Sequence, residues 1–253
     1  MCVHGPITKV LEAVPVSARK RRYLQRLYTH SPAIVCSSHA SLDSLQQFCE
    51  LDTARQHVAV IRNAAVPAFF SGLATDAPLP AKRIGFVGRL SHEKQPMLLL
   101  QVLRALPADW RLEVVGTGPL DADFRRAASD EIARGRIVMS GLQPVTRATY
   151  RRWQVTMLCS SYEGYPLVLL ESLASGVPVV STPIPAAVEM LGREARYMLA
   201  RDATPDAIAN AVVDVASRDA ADVSQDIARI NAEHDPAAFI AAWDDLLSRM
   251  VGR

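Results

Sequence analysis

The sequence lacks any apolar run approaching the roughly 18 residues that a membrane-spanning helix needs. Its first 16 residues also lack the continuous apolar stretch of a secretory signal peptide. The four cysteines include no Cys-x-x-Cys pair, which argues against a metal-binding or redox motif, and we interpret them as reduced thiols. These absences predict a soluble, cytoplasmic protein without a disulfide framework.

Excess charge is lacking too, because 28 basic and 26 acidic residues leave a formal net charge of +2. So small an excess argues against nucleic acid as the main partner. A phosphate-bearing small molecule is still compatible, since it needs only a few cations close together. What the chain does have is 253 residues, 49% of them hydrophobic, which is enough for one large or two modest domains.

Short apolar runs alternate with longer stretches of helical periodicity, a pattern typical of a parallel sheet wrapped by helices. The predicted strands are 33–36, 58–61, 84–87, 112–115, 136–139, 155–159, 177–181 and 197–199. The predicted helices are 17–28, 39–48, 97–106, 122–133, 145–153, 166–175, 185–191, 205–217, 220–232 and 236–250. The chain is therefore predicted to be an α/β protein.

The domain organisation follows from one linker-like segment. Residues 67–80 contain prolines and a glycine among small residues and show neither periodicity. The segment 81–233 holds six predicted strand-and-helix units, enough for a complete Rossmann-like doubly wound domain. Residues 1–66 hold two predicted strands and two helices and are interpreted as a partial N-terminal domain. Residues 234–253 form a separate amphipathic helix, predicted to pack back toward the N-terminal part.

Two loops of the predicted C-terminal domain could approach a ligand. A buried strand ends at Gly88, which allows a tight turn, and Arg89 and Lys94 follow. Arg89 can hold a phosphate through two parallel hydrogen bonds and Lys94 adds a point charge, so together they could clasp a diphosphate. A plain solvated basic loop is an equal alternative. The next strand ends in a Gly-x-Gly turn, Gly116 and Gly118, which could approach a ligand or the adjacent loop; a simple strand-to-helix turn is the favoured reading.

The strongest constellation lies in residues 160–180. Pro166 suits the first position of a helix, whose free N–H groups and positive dipole end would face a diphosphate. Glu171, about one and a half turns into that helix, can accept hydrogen bonds from two ribose hydroxyls. Glu163 lies on the preceding loop, where it could meet a sugar or an acceptor. Taken singly the two glutamates would be surface charges, but framed by Gly-Tyr-Pro at 164–166 and Gly-Val-Pro at 176–178 they indicate a functional pair.

On these motifs the sequence resembles the retaining GT-B glycosyltransferases of family 4, the glycosyl transferases group 1. The resemblance covers nearly the whole chain. It rests on residues 86–90 with 93–94, 115–120, 140–141, 163–166 and 171–180, where Glu163 and Glu171 form the E-x7-E motif of that family. It implies a GT-B fold, with a complete C-terminal domain and a partial N-terminal domain.

The resemblance also implies roles for single positions. Arg89 and Lys94 would bind the donor diphosphate, Glu171 would hold the ribose, and Glu163 would contact the transferred sugar; Glu163, Arg89 and Lys94 would be the catalytic set. Further donor contacts would come from Gly88, Gly116, Gly118, Gly141, Leu142, Gly164, Tyr165, Pro166 and Leu167. The expected activity is transfer of a hexose, with retention, from a UDP- or GDP-sugar to a glycan or lipid-linked acceptor in polysaccharide or glycoconjugate biosynthesis. No cofactor and no metal ion are expected.

The sequence departs from this family in two places. Residues 182–187 stand where many relatives have a Gly-rich turn before a glutamate, here Glu189, so the contact with the distal phosphate or sugar is open. Several units of the N-terminal domain, including its Gly-rich acceptor loop, are absent before Ser31, so we expect a truncated N-terminal domain. His4 and Gly5 are candidate remnants of the missing cleft wall, although a lone histidine near a terminus more often has no such role.

Two other functions stay open. One is a truncated, non-catalytic nucleotide-sugar-binding module; the other, less favoured because no carboxylate set for proton transfer is seen, is a GT-B-type nucleotide-sugar epimerase. A further feature concerns partners: residues 17–28 combine five basic residues with two tyrosines and two leucines. Such a helix could lie as a peripheral contact on the anionic inner face of a membrane. A plain solvated helix is the favoured alternative.

Overall fold

The computed structural model describes residues 1–70, 78–192 and 195–251 and shows an α/β protein with two parallel sheets. Part of the predicted linker, residues 71–77, lies outside the described residues. Within the described ranges no helix is both long enough and apolar enough to cross a membrane.

The N-terminal sheet has the strand order β1-β2-β3. Its elements are β1 (Cys2–Val3), α1 (Ile7–Ala13), α2 (Ala18–Thr29), β2 (Ala33–Cys36), α3 (His39–Phe48) and β3 (His57–Val60). Serine side chains fix both later helix starts, because Ser17 accepts a hydrogen bond from the amide of Lys20 and Ser38 from that of Ser41. β1 and α1 were not predicted from the sequence, because a two-residue strand is too short to show a period.

The larger sheet has the order β6-β5-β4-β7-β8, with every pairing parallel. Its elements are β4 (Arg83–Val87), α4 (Pro96–Ala105), β5 (Arg111–Val115), α5 (Asp121–Ala127), α6 (Ser129–Ala133), β6 (Ile137–Gly141), α7 (Arg147–Tyr150), β7 (Val155–Leu158), α8 (Leu167–Ala174), β8 (Val179–Ser181), α9 (Pro185–Leu191), α10 (Pro205–Ser217), α11 (Ala220–Glu233) and α12 (Pro236–Val251). The chain first builds outward from β4 to β6 and then reverses to β7 on the other side of β4. This is the doubly wound arrangement, whose reversal point opens a crevice at the carboxyl ends of the strands.

Three predicted elements of this half differ in the structure. The predicted strand 197–199 is wrong: Arg196–Met198 is a 3-10 turn, and Leu199 makes a single bridge to Ser181. Its apolar residues signal burial rather than strand geometry, since Met198 is fully buried in the turn. The predicted helix 122–133 is two helices that meet at Ala128, and the predicted helix 145–153 is the single turn α7. The sheet therefore has five paired strands where six were predicted.

The last helix crosses back to the N-terminal sheet. Leu246 of α12 is buried against Val35 and Ile61, and Phe239 and Trp243 pack beside it. Burying one large apolar side chain fully is worth about 1.5–3 kcal/mol, so this small cluster stabilises the crossing appreciably. The crossing begins immediately after His234, the C-cap of α11.

Candidate functional site

The site lies where the strand order reverses, between β4 and β7. Two loops leave the carboxyl ends of these neighbouring strands: the β4–α4 loop, residues 88–95, and the β7–α8 loop, residues 159–166. Hydrogen bonds join the two loops: the carbonyl of Glu93 accepts from the backbone amide of Ser161 at 2.8 Å and from the Ser161 hydroxyl at 3.2 Å. The two loops on which the sequence analysis placed Arg89, Lys94 and Glu163 are thus brought together.

Gly116 and Gly118 support the β4–α4 loop. A Cβ atom on Gly116 would lie 2.0 Å from the carbonyl oxygen of Gly88, and one on Gly118 would lie 2.4 Å from that of Leu90. The amide of Gly88 donates to the carbonyl of Val115 at 3.0 Å, which continues the β4–β5 pairing into the loop. Of the two approaches that the sequence left open for this turn, the structure shows the one to the adjacent loop. Their predicted contact with the donor stays a prediction.

Lys94 and Glu163 form an ion pair across the two loops. The Nζ atom of Lys94 lies 2.5 Å from Oε1 of Glu163, and the hydroxyl of Ser160 donates to the same oxygen at 2.6 Å. The side chains are only 17% and 15% exposed. Sequence reasoning placed both residues at the site but did not foresee that they would bind each other, because 69 positions separate them.

Arg89 is the exposed cation of the β4–α4 loop, and within the described parts of the chain its guanidinium has no hydrogen bond or ion pair. Close by, the hydroxyl of Ser91 donates to the carboxylate of Glu93 at 2.5 Å. Burial raises the pKa of Glu93, but this hydrogen bond and the charges of Lys94 and Arg89 outweigh burial and hold the pKa below its usual value. Among the described residues, the loop therefore carries one paired cation, Lys94, and one unpaired cation, Arg89.

Glu171 is half buried on α8 and is positioned by a buried tyrosine. The hydroxyl of Tyr150 donates to Oε2 of Glu171 at 2.6 Å. Burial raises the pKa of Glu171 above its usual value, and the hydrogen bond from Tyr150 offsets part of that rise. Among the described residues, the other carboxylate oxygen of Glu171 accepts no hydrogen bond. The prediction that Pro166 occupies the first helical position is wrong by one residue: Pro166 is the extended N-cap and Leu167 begins the helix.

Gly141 and Leu142 lie at the end of β6. Gly141 has a φ of 65°, and its carbonyl accepts a hydrogen bond from the amide of Gly116 at 2.8 Å. Leu142 is 85% exposed. Their donor contacts remain predictions.

The N-terminal half touches the β7–α8 loop directly. A Cβ atom on Gly164 would lie 1.7 Å from the carbonyl oxygen of His4, and Gly5 lies beside it. The side-chain amide of Asn63 donates to the carbonyl of Tyr165 at 3.3 Å. The backbone of His4 and Gly5 thus lies against the β7–α8 loop. Their role in a cleft wall stays a prediction.

Glu189 ties the halves together a short distance away. Its carboxylate accepts hydrogen bonds from the backbone amide and Nδ1 of His39, each at 2.9 Å, and from Nε of Arg62 at 3.0 Å. Burial raises the pKa of Glu189, but these bonds together outweigh burial and hold it below its usual value. Sequence reasoning noted Glu189 for its position after the 182–187 turn, but its partners are more than 120 positions away.

Across the described residues, no three histidine, cysteine, aspartate or glutamate side chains form a group that could hold a metal ion. The expectation of chemistry without a metal or cofactor stays a prediction.

Comparison with known proteins identifies the family of the fold. Residues 81–218, more than half of the chain, match the family described as glycosyl transferases group 1. Lipopolysaccharide 1,6-galactosyltransferase of Escherichia coli is 28% identical over 171 residues, 56% of this chain and 47% of that protein. The lipopolysaccharide core biosynthesis mannosyltransferase LpsB of Rhizobium meliloti is 31% identical over 188 residues, 66% of this chain and 53% of that protein.

Solved structures agree on the architecture. TarM of S. aureus, solved as a mutant with fondaparinux, α-GlcNAc-glycerol and UDP, superposes with a TM-score of 0.80 at 15% identity, covering 97% of this chain and 50% of TarM. HepE of Anabaena, solved with UDP, gives 0.78 at 19% identity, covering 98% of this chain and 71% of HepE. These likenesses show the fold alone. The chain spans about half the length of the curated relatives named above. On the match over residues 81–218, the chain belongs to the glycosyl transferases group 1 family, with GT-B architecture.

Proposed function

We propose that this chain carries the donor site of a retaining glycosyltransferase, which transfers a hexose from a UDP- or GDP-sugar to a glycan or lipid-linked acceptor in polysaccharide or glycoconjugate biosynthesis in the cytoplasm. The observation that carries the proposal is the joining of Lys94 and Glu163 across the reversal point of the sheet. Arg89, Lys94, Glu163 and the start of α8 then lie on the two loops at the carboxyl ends of β4 and β7, and Glu171 follows on α8. This placement suits a diphosphate flanked by a ribose and a sugar.

Each group has a definite task in this proposal. Arg89, exposed and unpaired in the described chain, meets the diphosphate first, and Lys94 exchanges part of its bond with Glu163 for a phosphate oxygen. As the bond between sugar and phosphate breaks, negative charge grows on the diphosphate, and the two cations with the start of α8 stabilise that charge. No metal ion is needed for this step in the proposal.

The two glutamates hold the ends of the donor. Glu171 keeps one carboxylate oxygen for the ribose hydroxyls while Tyr150 occupies the other. Glu163, freed in part from Lys94, accepts hydrogen bonds from the hydroxyls of the sugar. The leaving diphosphate and the incoming hydroxyl lie on one face of the sugar, so the bond to the acceptor oxygen forms on the face where the bond to phosphate breaks. The departing phosphate oxygen takes the proton of the hydroxyl, and the configuration of the anomeric carbon is retained. The names of the relatives, a galactosyltransferase and a mannosyltransferase, and the UDP bound to TarM and HepE support a nucleotide-sugar donor.

Two variants of the full chain test the proposal. We expect Arg89→Ala and Glu163→Ala to lower sugar transfer from UDP- and GDP-hexoses at least a hundredfold, since each removes charge stabilisation or sugar positioning worth about 2.7–4 kcal/mol. Arg125→Ala is the control, because Arg125 forms an ion pair with Asp121 within α5, away from the two loops; this variant should leave transfer unchanged. Unaltered transfer in both site variants would refute the assignment.

One alternative is a non-catalytic nucleotide-sugar-binding module. The chain spans about half the length of its curated relatives. Calorimetry separates the two: nucleotide-sugar binding without transfer or donor hydrolysis, over a panel of glycan and lipid-linked acceptors, would support the module and overturn the enzyme.

A lipid-linked acceptor would lie at a membrane, and we propose that α2 is a peripheral membrane contact. This helix buries none of its residues, carries five basic side chains and no acidic one, and leaves Tyr23 61% and Leu27 37% exposed. A charged helix with exposed apolar side chains fits the surface of an anionic bilayer. We expect the full chain to sediment with phosphatidylglycerol vesicles and to lose that binding in an Arg19→Glu/Arg22→Glu variant. Equal binding to neutral phosphatidylcholine vesicles would contradict an electrostatic contact.

A further inference from the structure

The side chain of Tyr165 faces the protein interior, although its backbone belongs to the donor-site loop. Its hydroxyl lies 2.5 Å from Nε2 of His234, and the two residues are 5% and 4% exposed. The rings lie 5.6 Å apart between centroids with a tilt of 32°. The tyrosine is therefore held through both a hydrogen bond and ring contact, and its hydroxyl is not offered to a ligand.

The protonation state of His234 is set by its second ring nitrogen. Nδ1 lies 2.7 Å from the carbonyl oxygen of Ile230. A carbonyl can only accept, so Nδ1 carries the hydrogen. In the neutral ring Nε2 is then an acceptor, and the hydroxyl of Tyr165 donates to it. Protonation of the ring would place a second N–H where this bond needs a lone pair.

The position of His234 couples the loop to the rest of the chain. His234 ends α11, and the chain crosses from there to α12, whose Leu246 is buried against the N-terminal sheet. On its other side the carbonyl of Tyr165 accepts the bond from Asn63 of the N-terminal half. Tyr165, two residues after Glu163, is thus held by His234 at the crossing point and by Asn63 of the N-terminal half.

We propose that His234 is a positioning residue: in its neutral form it holds the β7–α8 loop in place through Tyr165, so that protonation of His234 releases the loop and weakens donor binding. The inference rests on the proposed donor site for its consequence, while the positioning itself depends only on the contacts above. It gives the site a dependence on pH in addition to the one that the ligand-facing carboxylate of Glu171 supplies.

The surroundings of His234 place this response on the acid side. Burial lowers the pKa of His234 below its usual value, the bond to Ile230 opposes that shift, and the charge of Arg62 lowers it further. Glu233 on the same helix and Glu189 on α9 act in the opposite direction. Asp235 directly follows His234 in the chain. His39 and His234 both line a cavity of about 550 Å³. Because the folded pKa is depressed, the neutral ring stabilises the loop above the ordinary histidine pKa of about 6.5, and that stabilisation is lost as pH falls through the folded value.

Two variants and a matched control test the proposal on the full chain. His234→Gln offers an acceptor to Tyr165 at every pH and cannot be protonated, whereas Tyr165→Phe removes the hydrogen bond. Tyr197→Phe deletes a comparable tyrosine bond, to Asp226, on the surface of α11. Calorimetric affinity for UDP and GDP is measured from pH 5 to pH 8, and hydrogen exchange of residues 160–166 is followed over the same range after correction for intrinsic rates.

We expect wild type to lose affinity for the nucleotide, relative to His234→Gln, as pH falls. The ratio of the two affinities is compared because the terminal phosphate of the probe titrates in the same range. At pH 8, Tyr165→Phe should bind about threefold to tenfold more weakly than wild type, the loss of one hydrogen bond, and Tyr197→Phe should behave as wild type. Parallel pH profiles for wild type and His234→Gln would overturn the proposal.

Hydrogen exchange keeps this proposal separate from the proposed function. If wild type binds neither nucleotide at any pH, the donor site is refuted, and the positioning role is then judged by the loop alone. We expect protection of residues 160–166 to fall with pH in wild type, to stay level in His234→Gln, and to be low throughout in Tyr165→Phe. Should His234→Gln not fold, level protection in wild type between pH 8 and pH 5 would itself overturn the inference.

Discussion

Glu163→Gln is the substitution that best separates the two partners of the ion pair at the site. At the observed 2.5 Å between Nζ and Oε1 and an effective dielectric constant of about 20, the Coulomb attraction is about 7 kcal/mol. Desolvation offsets most of it, because both side chains are less than a fifth exposed. Removing one partner of a fully buried pair costs about 3–5 kcal/mol, so for this slightly exposed pair we expect a loss of roughly 1–3 kcal/mol in the free energy of unfolding.

The same substitution should affect nucleotide binding in the opposite direction. In the free protein, Lys94 is engaged by Glu163, so a diphosphate must compete with a carboxylate for the ammonium group. Glutamine keeps an acceptor for the Ser160 hydroxyl but removes the competing charge. We expect Glu163→Gln to bind UDP or GDP about fivefold to tenfold more tightly, a gain of about 1–1.4 kcal/mol. Lys94→Ala should bind the same nucleotide more weakly.

The assays are isothermal titration with UDP and GDP, and chemical unfolding followed by circular dichroism. Glu131→Gln is the matched control, because it breaks an ion pair with Arg104 at 2.6 Å, between α4 and α6. That control should lose stability without any change in nucleotide affinity. If Glu163→Gln weakened nucleotide binding as much as Lys94→Ala does, the pair would act as one structural unit, and the competition between carboxylate and phosphate would be refuted.

Three further predictions follow from single contacts. Tyr150→Phe removes the bond that lowers the pKa of Glu171, so the pKa should rise further and the acid-side loss of UDP affinity, measured by calorimetry, should move to higher pH; an unmoved curve would refute the pairing. Gly164→Ala forces a Cβ to 1.7 Å from a backbone oxygen and should lower Tm by more than the control Gly135→Ala. The Cβ of that control meets nothing within 4 Å, so the control should lose only about 1 kcal/mol of stability to backbone strain. Equal Tm shifts would speak against close packing at Gly164. Glu189→Gln should weaken the contact between the two halves at pH values above the usual carboxyl pKa. Because the pKa of Glu189 is depressed in the folded protein, the variant's stability to chemical unfolding should depend less on pH below about 4.5 than that of wild type. The same pH dependence of stability in both proteins would contradict this.

Elements with strong end signals were predicted well from the sequence. The helices Pro185–Leu191 and Pro205–Ser217 were predicted to the residue, because each begins with a proline, whose fixed φ suits the first helical position. The failed strand at 197–199 had neither alternation nor length, and its burial came from tertiary packing. Pattern alone cannot tell a buried turn from a buried strand when the run is three residues long.

The site was predictable only as far as strand order allows. Glycines and charges at the carboxyl ends of predicted strands pointed to Arg89, Lys94 and Glu163, since parallel strands end at one edge of a sheet. The partners inside the protein were not visible, because Tyr165 meets His234 and Glu189 meets Arg62 over 69 and 127 positions. A sequence period reports local geometry and carries no information on such distant pairs.

The reversal of strand order has a consequence for how the protein folds. β4, β5 and β6 can pair from one continuous stretch of chain, but Lys94 meets Glu163 only after β7 has been added on the other side of β4. The proposed nucleotide site is therefore absent from any intermediate built of the first three strands, and it depends on a contact of high sequence separation, which forms late. A ligand that binds only the completed site should slow unfolding and leave the folding rate nearly unchanged. Nucleotide binding would then stabilise the completed sheet without helping it to form.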